Sequence, residues 1–109
     1  MVGAKSEATA PARSLEQRLR ALRRANEVRI GRAQLKKELA AGTVRIEEIL
    51  AQPPEVAKTA KVSELLLALP RVGRSRVARA LAHCRISESK TASGLSERQR
   101  AELISLFRR

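Results

Sequence analysis

The segment from residue 65 to residue 78 constrains the fold most, because an apolar stretch enters a Pro/Gly turn and leaves it carrying arginines. Pro70 lacks a backbone N–H and disfavours the α conformation at the residue before it, so a helix is predicted to end at Leu69. Gly73 permits a positive φ and the close approach of another molecule's backbone. Ser75 is predicted to cap the next helix, whose first N–H groups have no partner within the helix. Free N–H groups, a helix dipole and nearby arginines suit a phosphate, so the turn indicates nucleic-acid backbone binding.

The charge of the chain agrees with a polyanionic partner. Its 109 residues include 23 Lys and Arg against 11 Asp and Glu, which gives a formal net charge of +12. Such a balance indicates a nucleic acid or an acidic membrane surface. The basic excess is divided equally between residues 1–41 and residues 62–109, while residues 42–61 are neutral. Two positive surfaces around a structural middle are therefore expected.

The scarcity of cysteine and aromatic residues and the shortness of the apolar runs exclude several classes of function. One cysteine, Cys84, rules out an internal disulfide and a cysteine-rich zinc site, and it is predicted to be a small buried apolar residue. One aromatic residue, Phe107, rules out a surface that stacks single-stranded bases. The longest apolar run, Leu65–Leu69, is too short for a bilayer. No apolar segment begins the chain, so a cytoplasmic location and no membrane partner are expected.

No catalytic, metal or cofactor site emerges from the sequence. The lone His83 has no cysteine or carboxylate at ligand spacing, and it shares a predicted helix face with Arg76 and Arg79. Glu47 and Glu48 occupy adjacent, diverging helix positions and are expected to be solvated. A Gly-rich nucleotide loop is absent from the sequence. The chain is therefore predicted not to be an enzyme and to bind no cofactor.

The predicted organisation is a disordered tail over residues 1–13, a long basic helix over 14–41 and a helical body over 42–109, with 14–109 forming one domain. Ser14 and Gln17 have capping-box spacing, and Gly42 is a natural helix end. The body is expected to be built from short helices over Val44–Ala51, Val62–Leu69 and Arg74–Cys84, with a helical turn at Glu55–Ala60 and a last helix that ends at Phe107. Thr43 is expected to cap the first of them, and a Ser96/Gln99 capping box to open the last. In Arg74–Cys84 the side chains of Val77, Ala78 and Leu81 are expected to face inward. The fold class is all-α.

Four motifs, in order and at near-identical spacing, resemble the actinobacterial integration host factor family. They are Gly31–Lys36 (GRAQLK), Lys61–Leu66 (KVSELL), Leu69–Arg74 (LPRVGR) and Gly94–Arg100 (GLSERQR). The resemblance covers about Ala25 to Phe107. It implies a long N-terminal helix packed on a compact helix–two-turn–helix body of four to five short helices. It also implies a nucleoid-associated protein that binds duplex DNA with little sequence preference, bends or compacts it and assists phage site-specific recombination.

The resemblance also implies which residues contact DNA. The family usually reads Lys-Val-Gly-Lys-x-Lys at the turn and several arginines before the Gly-Leu pair, where this chain keeps only Lys90 as a cation. The implied DNA-binding residues are Arg32, Lys36, Arg71, Val72, Gly73, Arg74, Ser75, Arg76, Lys90, Ser93, Gly94 and Arg98. The implied partners are double-stranded DNA and a phage integrase or recombinase, and the chain is expected to be a monomer.

Two alternatives remain open at the level of sequence. Helix–two-turn–helix proteins include ribosomal ones, and phosphate contacts suit either polymer, so an RNA-binding or ribosome-associated module is the first alternative. The second is a protein-interaction module whose long helix binds a partner recombinase. Competition between duplex DNA and structured RNA separates the first alternative from DNA binding, and a weak salt dependence would favour the second.

Overall fold

The computed structural model describes the backbone of residues 2–108 and the side chains of residues 14–108. This part of the chain is all-α, as predicted. Its helices are α1 (Val2–Ala41), α2 (Ile46–Ala51), α3 (Val62–Leu67), α4 (Arg74–His83) and α5 (Glu97–Phe107), with 3₁₀ turns at Glu55–Ala57 and Ala92–Gly94. Within residues 2–108, extended pairing is limited to an isolated antiparallel bridge between Lys61 and Thr91.

Helix α1 begins much earlier than the sequence predicts and ends where it predicts. It runs through residues 2–13, which were expected to be disordered (Met1 itself lies outside the described residues). Ser14 therefore lies inside α1, and its predicted capping role is wrong. At the other end Gly42 takes φ +78. Its N–H donates to the Leu39 carbonyl at 3.2 Å and the Thr43 N–H to the Glu38 carbonyl at 3.1 Å, a Schellman arrangement.

The chain divides into two compact units, Met1–Ile30 and Gly31–Arg109. In the first unit the side chains of residues 14–30 are exposed, apart from the half-buried Val28. In the second unit the last turns of α1 bury Leu35 and Leu39. Among residues 14–41, the fully buried side chains of α1 therefore belong to the second unit.

The short helices differ from the predicted ones at their ends. Helix α2 begins at Ile46, with Arg45 as its N-cap. Thr43 is not the cap, because its hydroxyl donates to the Glu38 carbonyl at 3.2 Å and so closes α1. Helix α3 ends at Leu67. The side chain of Leu67 is 42% exposed, so one face of α3 is open to solvent.

The core is a single cluster of mainly aliphatic side chains, with Cys84 and Phe107, from every helix of the second unit. Its fully buried large members are Leu39, Leu50, Leu65, Leu66, Leu103 and Val62. On α4 the buried positions include Val77, Ala80 and Leu81, whereas Ala78, predicted to face inward, is exposed. Cys84 is buried as predicted, and burial raises the pKa of its thiol.

The last helix begins and ends as the sequence predicts. The Gln99 N–H donates to Ser96 Oγ at 3.1 Å, and the Ser96 N–H donates to Gln99 Oε1 at 3.0 Å, which completes the predicted capping box. Gln99 also donates from Nε2 to the Arg85 carbonyl at 2.9 Å. This bond joins the start of α5 to the end of α4.

Candidate nucleic-acid interface

The turn between α3 and α4 is the centre of the candidate interface, and its backbone differs from the prediction. The left-handed conformation belongs to Arg71, at φ 64, and not to Gly73. Gly73 is instead the N-cap of α4, with φ −97. Ser75 lies inside the first turn of α4, so its predicted capping role is wrong. Because a glycine cap has no side chain, no side-chain oxygen caps the first N–H groups of α4.

An arginine in the left-handed region is unfavourable by roughly 1–2 kcal/mol, because its Cβ crowds the following carbonyl. Glycine or asparagine at position 71 would avoid most of that cost. Arg71 is nevertheless exposed at the tip of the turn, as is Arg74 at the start of α4. Among the side chains of residues 14–108, neither guanidinium forms a hydrogen bond or an ion pair. The turn therefore presents two free cations.

Space in front of the turn is open. A Cβ built on Gly73 meets no other heavy atom within 4 Å. The absence of a side chain leaves the N-terminal N–H groups of α4 accessible to a large anion. Arg76, one turn further along α4, is exposed and stacks on Phe107, with 5.2 Å between its guanidinium carbon and the ring centroid. That contact orients the third cation of the turn.

The two α1 residues implied as DNA contacts are engaged inside the protein. Arg32 donates from Nε to the Val56 carbonyl at 3.2 Å and from Nη2 to Thr59 Oγ1 at 2.8 Å. Lys36 Nζ donates to the Glu64 carboxylate in a half-buried ion pair. The hydrogen bond from Lys36 is the main cause that lowers the pKa of Glu64. These cations are already neutralised or bonded, which argues against free phosphate contacts at both positions.

The second implied contact segment is a rigid 3₁₀ turn. The Ser93 N–H and hydroxyl both donate to the Lys58 carbonyl, at 3.2 Å and 2.9 Å. The Val62 N–H, at the start of α3, donates to the Lys90 carbonyl at 3.0 Å. A Cβ on Gly94 would lie 3.1 Å from the Thr91 hydroxyl, so glycine permits this close turn. The segment is thereby fixed against the start of α3.

Helix α3 connects the two implied contact segments. Its first residue bonds to Lys90 and its last lies three residues before Pro70. Six helical residues span about 9 Å, so the two turns are separated by little more than one short helix. Arg98, the remaining implied contact, is exposed and shares a surface ion pair with Glu102 at 3.1 Å.

Two arginines have roles that sequence reasoning missed. Arg100 donates to the Leu50 carbonyl and, at 3.3 Å, to the Leu95 carbonyl, so it joins α5 to α2. Arg85 takes φ 57 after α4, in the position where a Schellman motif usually has glycine. The absence of glycine at the end of α4 left no sequence signal for this left-handed residue.

The described residues contain neither a cluster of metal-ligand side chains nor a membrane-spanning helix. No group of three or more His, Cys, Asp or Glu side chains among the described residues could hold a metal ion. None of the helices within residues 2–108 is long and apolar enough to cross a membrane.

Comparison with known proteins gives one consistent family. Residues 39–107 match the S13-like H2TH domain. Integration host factor of Mycolicibacterium smegmatis is 37% identical over 94 residues, which cover 84% of this chain and 90% of the relative. Integration host factor of Mycobacterium tuberculosis gives the same identity and coverage. A solved structure of sIHF bound to an 8bp palindromic DNA has a TM-score of 0.72 and 33% identity, and it covers 78% of this chain and 98% of the solved chain.

Proposed function

Since the chain belongs to the integration host factor family, we propose that it is an architectural protein, not an enzyme, that binds the phosphate backbone of duplex DNA. The family resemblance, a formal net charge of +12 and a free cationic turn all support this function. The DNA-bound relative supports DNA over RNA as the polymer. Location in the nucleoid follows from the proposed function.

One observation carries the proposal. Arg71 occupies an unfavourable left-handed conformation, with its guanidinium exposed and without an internal partner among the described residues. Backbone strain of this kind clusters at functional sites. Beside it, Gly73 leaves the N-terminal N–H groups of α4 open. We propose that a DNA phosphate lies between these N–H groups and the guanidinium groups of Arg71 and Arg74.

The neighbouring residues complete the proposed contact. Val72 and Ser75 belong to the same turn, and Arg76 extends it along α4. The second turn offers Lys90 and Gly94, with Arg98 on the following helix. Both donors of Ser93 are bonded to the Lys58 carbonyl, so Ser93 is proposed to position this turn. Arg32 and Lys36 are left out of the proposed phosphate contacts because both have internal partners. Five cationic side chains are therefore proposed to contact phosphates: Arg71, Arg74, Arg76, Lys90 and Arg98.

The mode of binding follows from the kind of contact. Phosphate contacts position a protein on DNA without reading its sequence, so we propose low sequence preference. Two contact turns about one short helix apart would bind a duplex most fully if it bends toward them.

The chain is proposed to act as a monomer, and its residues 14–109 to form the functional domain. A phage integrase or recombinase is the proposed partner on bent DNA.

The test is the salt dependence of duplex binding. Five phosphate contacts predict that log K falls against log salt with a slope of about −4 to −5. Replacing Arg71 or Arg74 by glutamine should make the slope shallower by about 0.9 each. A slope near zero would remove the proposal. Equal competition by structured RNA at the same salt would instead favour the RNA-binding alternative.

A further inference from the structure

A cleft of about 300 Å³ borders the α3–α4 turn and shares Val72 and Arg76 with the proposed phosphate contact. It is enclosed by the end of α1, the start of α2, the turn and the end of α5, and every lining residue belongs to the second unit. Its inner wall is apolar and includes Leu39, Leu69 and Phe107. The volume falls at the lower end of the range for ligand-binding clefts. An apolar wall offers nothing to a phosphate, so an apolar side chain is the better occupant of the interior of the cleft.

The charged side chains around the cleft are mostly of one sign. Arg45, Arg76 and Arg108 line it and are exposed, against a single carboxylate, Glu47. The guanidinium carbon of Arg76 lies 5.2 Å from the centroid of the Phe107 ring, and among the described residues its guanidinium N–H groups make no hydrogen bond, so they can donate to an acceptor. The guanidinium groups of Arg45 and Arg108 make no hydrogen bond or ion pair with any described residue. The cleft therefore combines an apolar wall with unneutralised cations.

An exposed leucine extends the apolar surface at the edge of the cleft. Leu106 lines the cleft and is 41% exposed, although it lies on the packed helix α5. Val44, in the connection between α1 and α2, is half-buried and lines the same cleft. An apolar surface bordered by charged groups is typical of a protein-binding site.

We propose that this cleft binds an acidic, apolar segment of a partner protein. An aliphatic or aromatic side chain of the partner packs against Phe107 and Leu106, and flanking Asp or Glu side chains pair with Arg45 and Arg108. A second copy of this chain is opposed, because two chains of net charge +12 repel each other. The proposal rests on the proposed function only in placing the partner beside bound DNA, since Pro70 and Val72 belong to both the turn and the cleft.

A random peptide library displayed on phage, selected on the full chain, tests the chemistry of the occupant. Enriched peptides are expected to place Asp or Glu beside Leu, Phe or Trp, and a synthetic peptide of that sequence should bind in fluorescence anisotropy. Arg45→Glu with Arg108→Glu should weaken the peptide by at least about tenfold, because like charges then face each other. Leu106→Ser should weaken it by about fivefold through lost apolar contact.

Leu67→Ser is the matched control, because Leu67 is exposed to nearly the same degree, 42%, but does not line the cleft. It should leave peptide affinity unchanged. Enriched peptides without acidic residues, or peptides that bind Leu106→Ser as well as the parent, would overturn the proposal. So would a dimer in sedimentation that Leu106→Ser abolishes, because a second copy would then occupy the cleft. Duplex affinity is measured separately on the same variants, so failure of DNA binding is distinguishable from failure of this site.

Discussion

Arg32 donates from Nε to the main-chain carbonyl of Val56 at 3.2 Å, a contact between residues 24 positions apart in sequence. A residue that the family motif marks as a DNA contact thus joins α1 to the segment around the first 3₁₀ turn. A second hydrogen bond runs from Arg32 Nη2 to Thr59 Oγ1 at 2.8 Å. A structural role and a DNA role predict different behaviour on substitution.

Arg32→Gln should therefore lower the free energy of unfolding by about 1–3 kcal/mol, because the Val56 carbonyl loses a charged donor. The slope of log K against log salt should remain that of the parent. Arg74→Gln is the matched variant, since Arg74 is exposed and free: it should reduce the slope by about 0.9 and leave stability within about 0.5 kcal/mol. Urea unfolding and a salt titration check both. A reduced slope for Arg32→Gln would return Arg32 to the interface.

Gly73→Glu should abolish most duplex binding while the fold is kept. A Cβ at this position meets nothing within 4 Å and φ is −97, so any residue fits the folded chain. A carboxylate at the start of α4 would occupy the proposed phosphate position and repel the DNA. Gly73→Ala should weaken binding less, through bulk alone. Circular dichroism and anisotropy on several unrelated duplexes measure this. Unchanged affinity of folded Gly73→Glu would show that the turn is only structural.

Gly31→Ala should destabilise the protein, although alanine favours helix over glycine by about 1 kcal/mol. The added Cβ would lie 2.6 Å from Val56 Cγ1, which is shorter than any normal contact. Val56→Ala removes that methyl group, so the double variant should recover stability relative to Gly31→Ala. A double-mutant cycle from urea unfolding should give a coupling of at least about 1 kcal/mol. Additive effects would show that α1 can move away from Val56 freely.

Thr91→Arg with Ser93→Arg should strengthen duplex binding and steepen the salt slope. The segment from Lys90 to Gly94 keeps one cation where the family has several, and its backbone remains tied to Lys58 through the residue 93 N–H. Arginine in a narrow minor groove is favoured by its negative potential, so the gain should be larger on A-tract DNA. Anisotropy on A-tract and mixed duplexes measures the gain. Parent-like binding to both would place the second contact elsewhere, with Arg20, Arg23 and Arg24 of α1 tested next.

Acid should weaken the attachment of α1 through Glu64. The Lys36 hydrogen bond lowers the pKa of Glu64 in the folded state below its ordinary value. The stabilisation is therefore fully present above about pH 4.3 and is lost as pH falls through the folded-state pKa. Between about pH 5 and pH 3 the parent should lose more stability than Glu64→Gln. Glu88→Gln, which changes an exposed carboxylate, should follow the parent. Identical pH profiles for parent and Glu64→Gln would contradict this ion pair.

Local chemistry explains which helix ends could be predicted from sequence. Gly42 ends α1 because glycine takes a positive φ without a Cβ clash, and Ser96 with Gln99 opens α5 because their side chains reach each other's backbone. Both signals act within a few residues. The end of α4 has no such signal, because Arg85 takes the left-handed position that glycine usually occupies. The packed core and the Gln99 bond to its carbonyl support that conformation.

The sequence by itself determined the all-α class, the basic character and the location of the α3–α4 turn, because each depends on composition or on neighbouring residues. Four motifs along the chain also carried the resemblance to the family. Only the tertiary structure decided which cationic side chains are free at the surface and which are bonded within the fold. Arg71 and Arg74 remain free at the turn, whereas Arg32, Lys36 and Arg100 are bonded across the fold. Their partners Val56, Glu64 and Leu50 are distant in sequence. Whether a guanidinium or ammonium group meets an internal acceptor or solvent is settled by packing, and no local pattern contains that information.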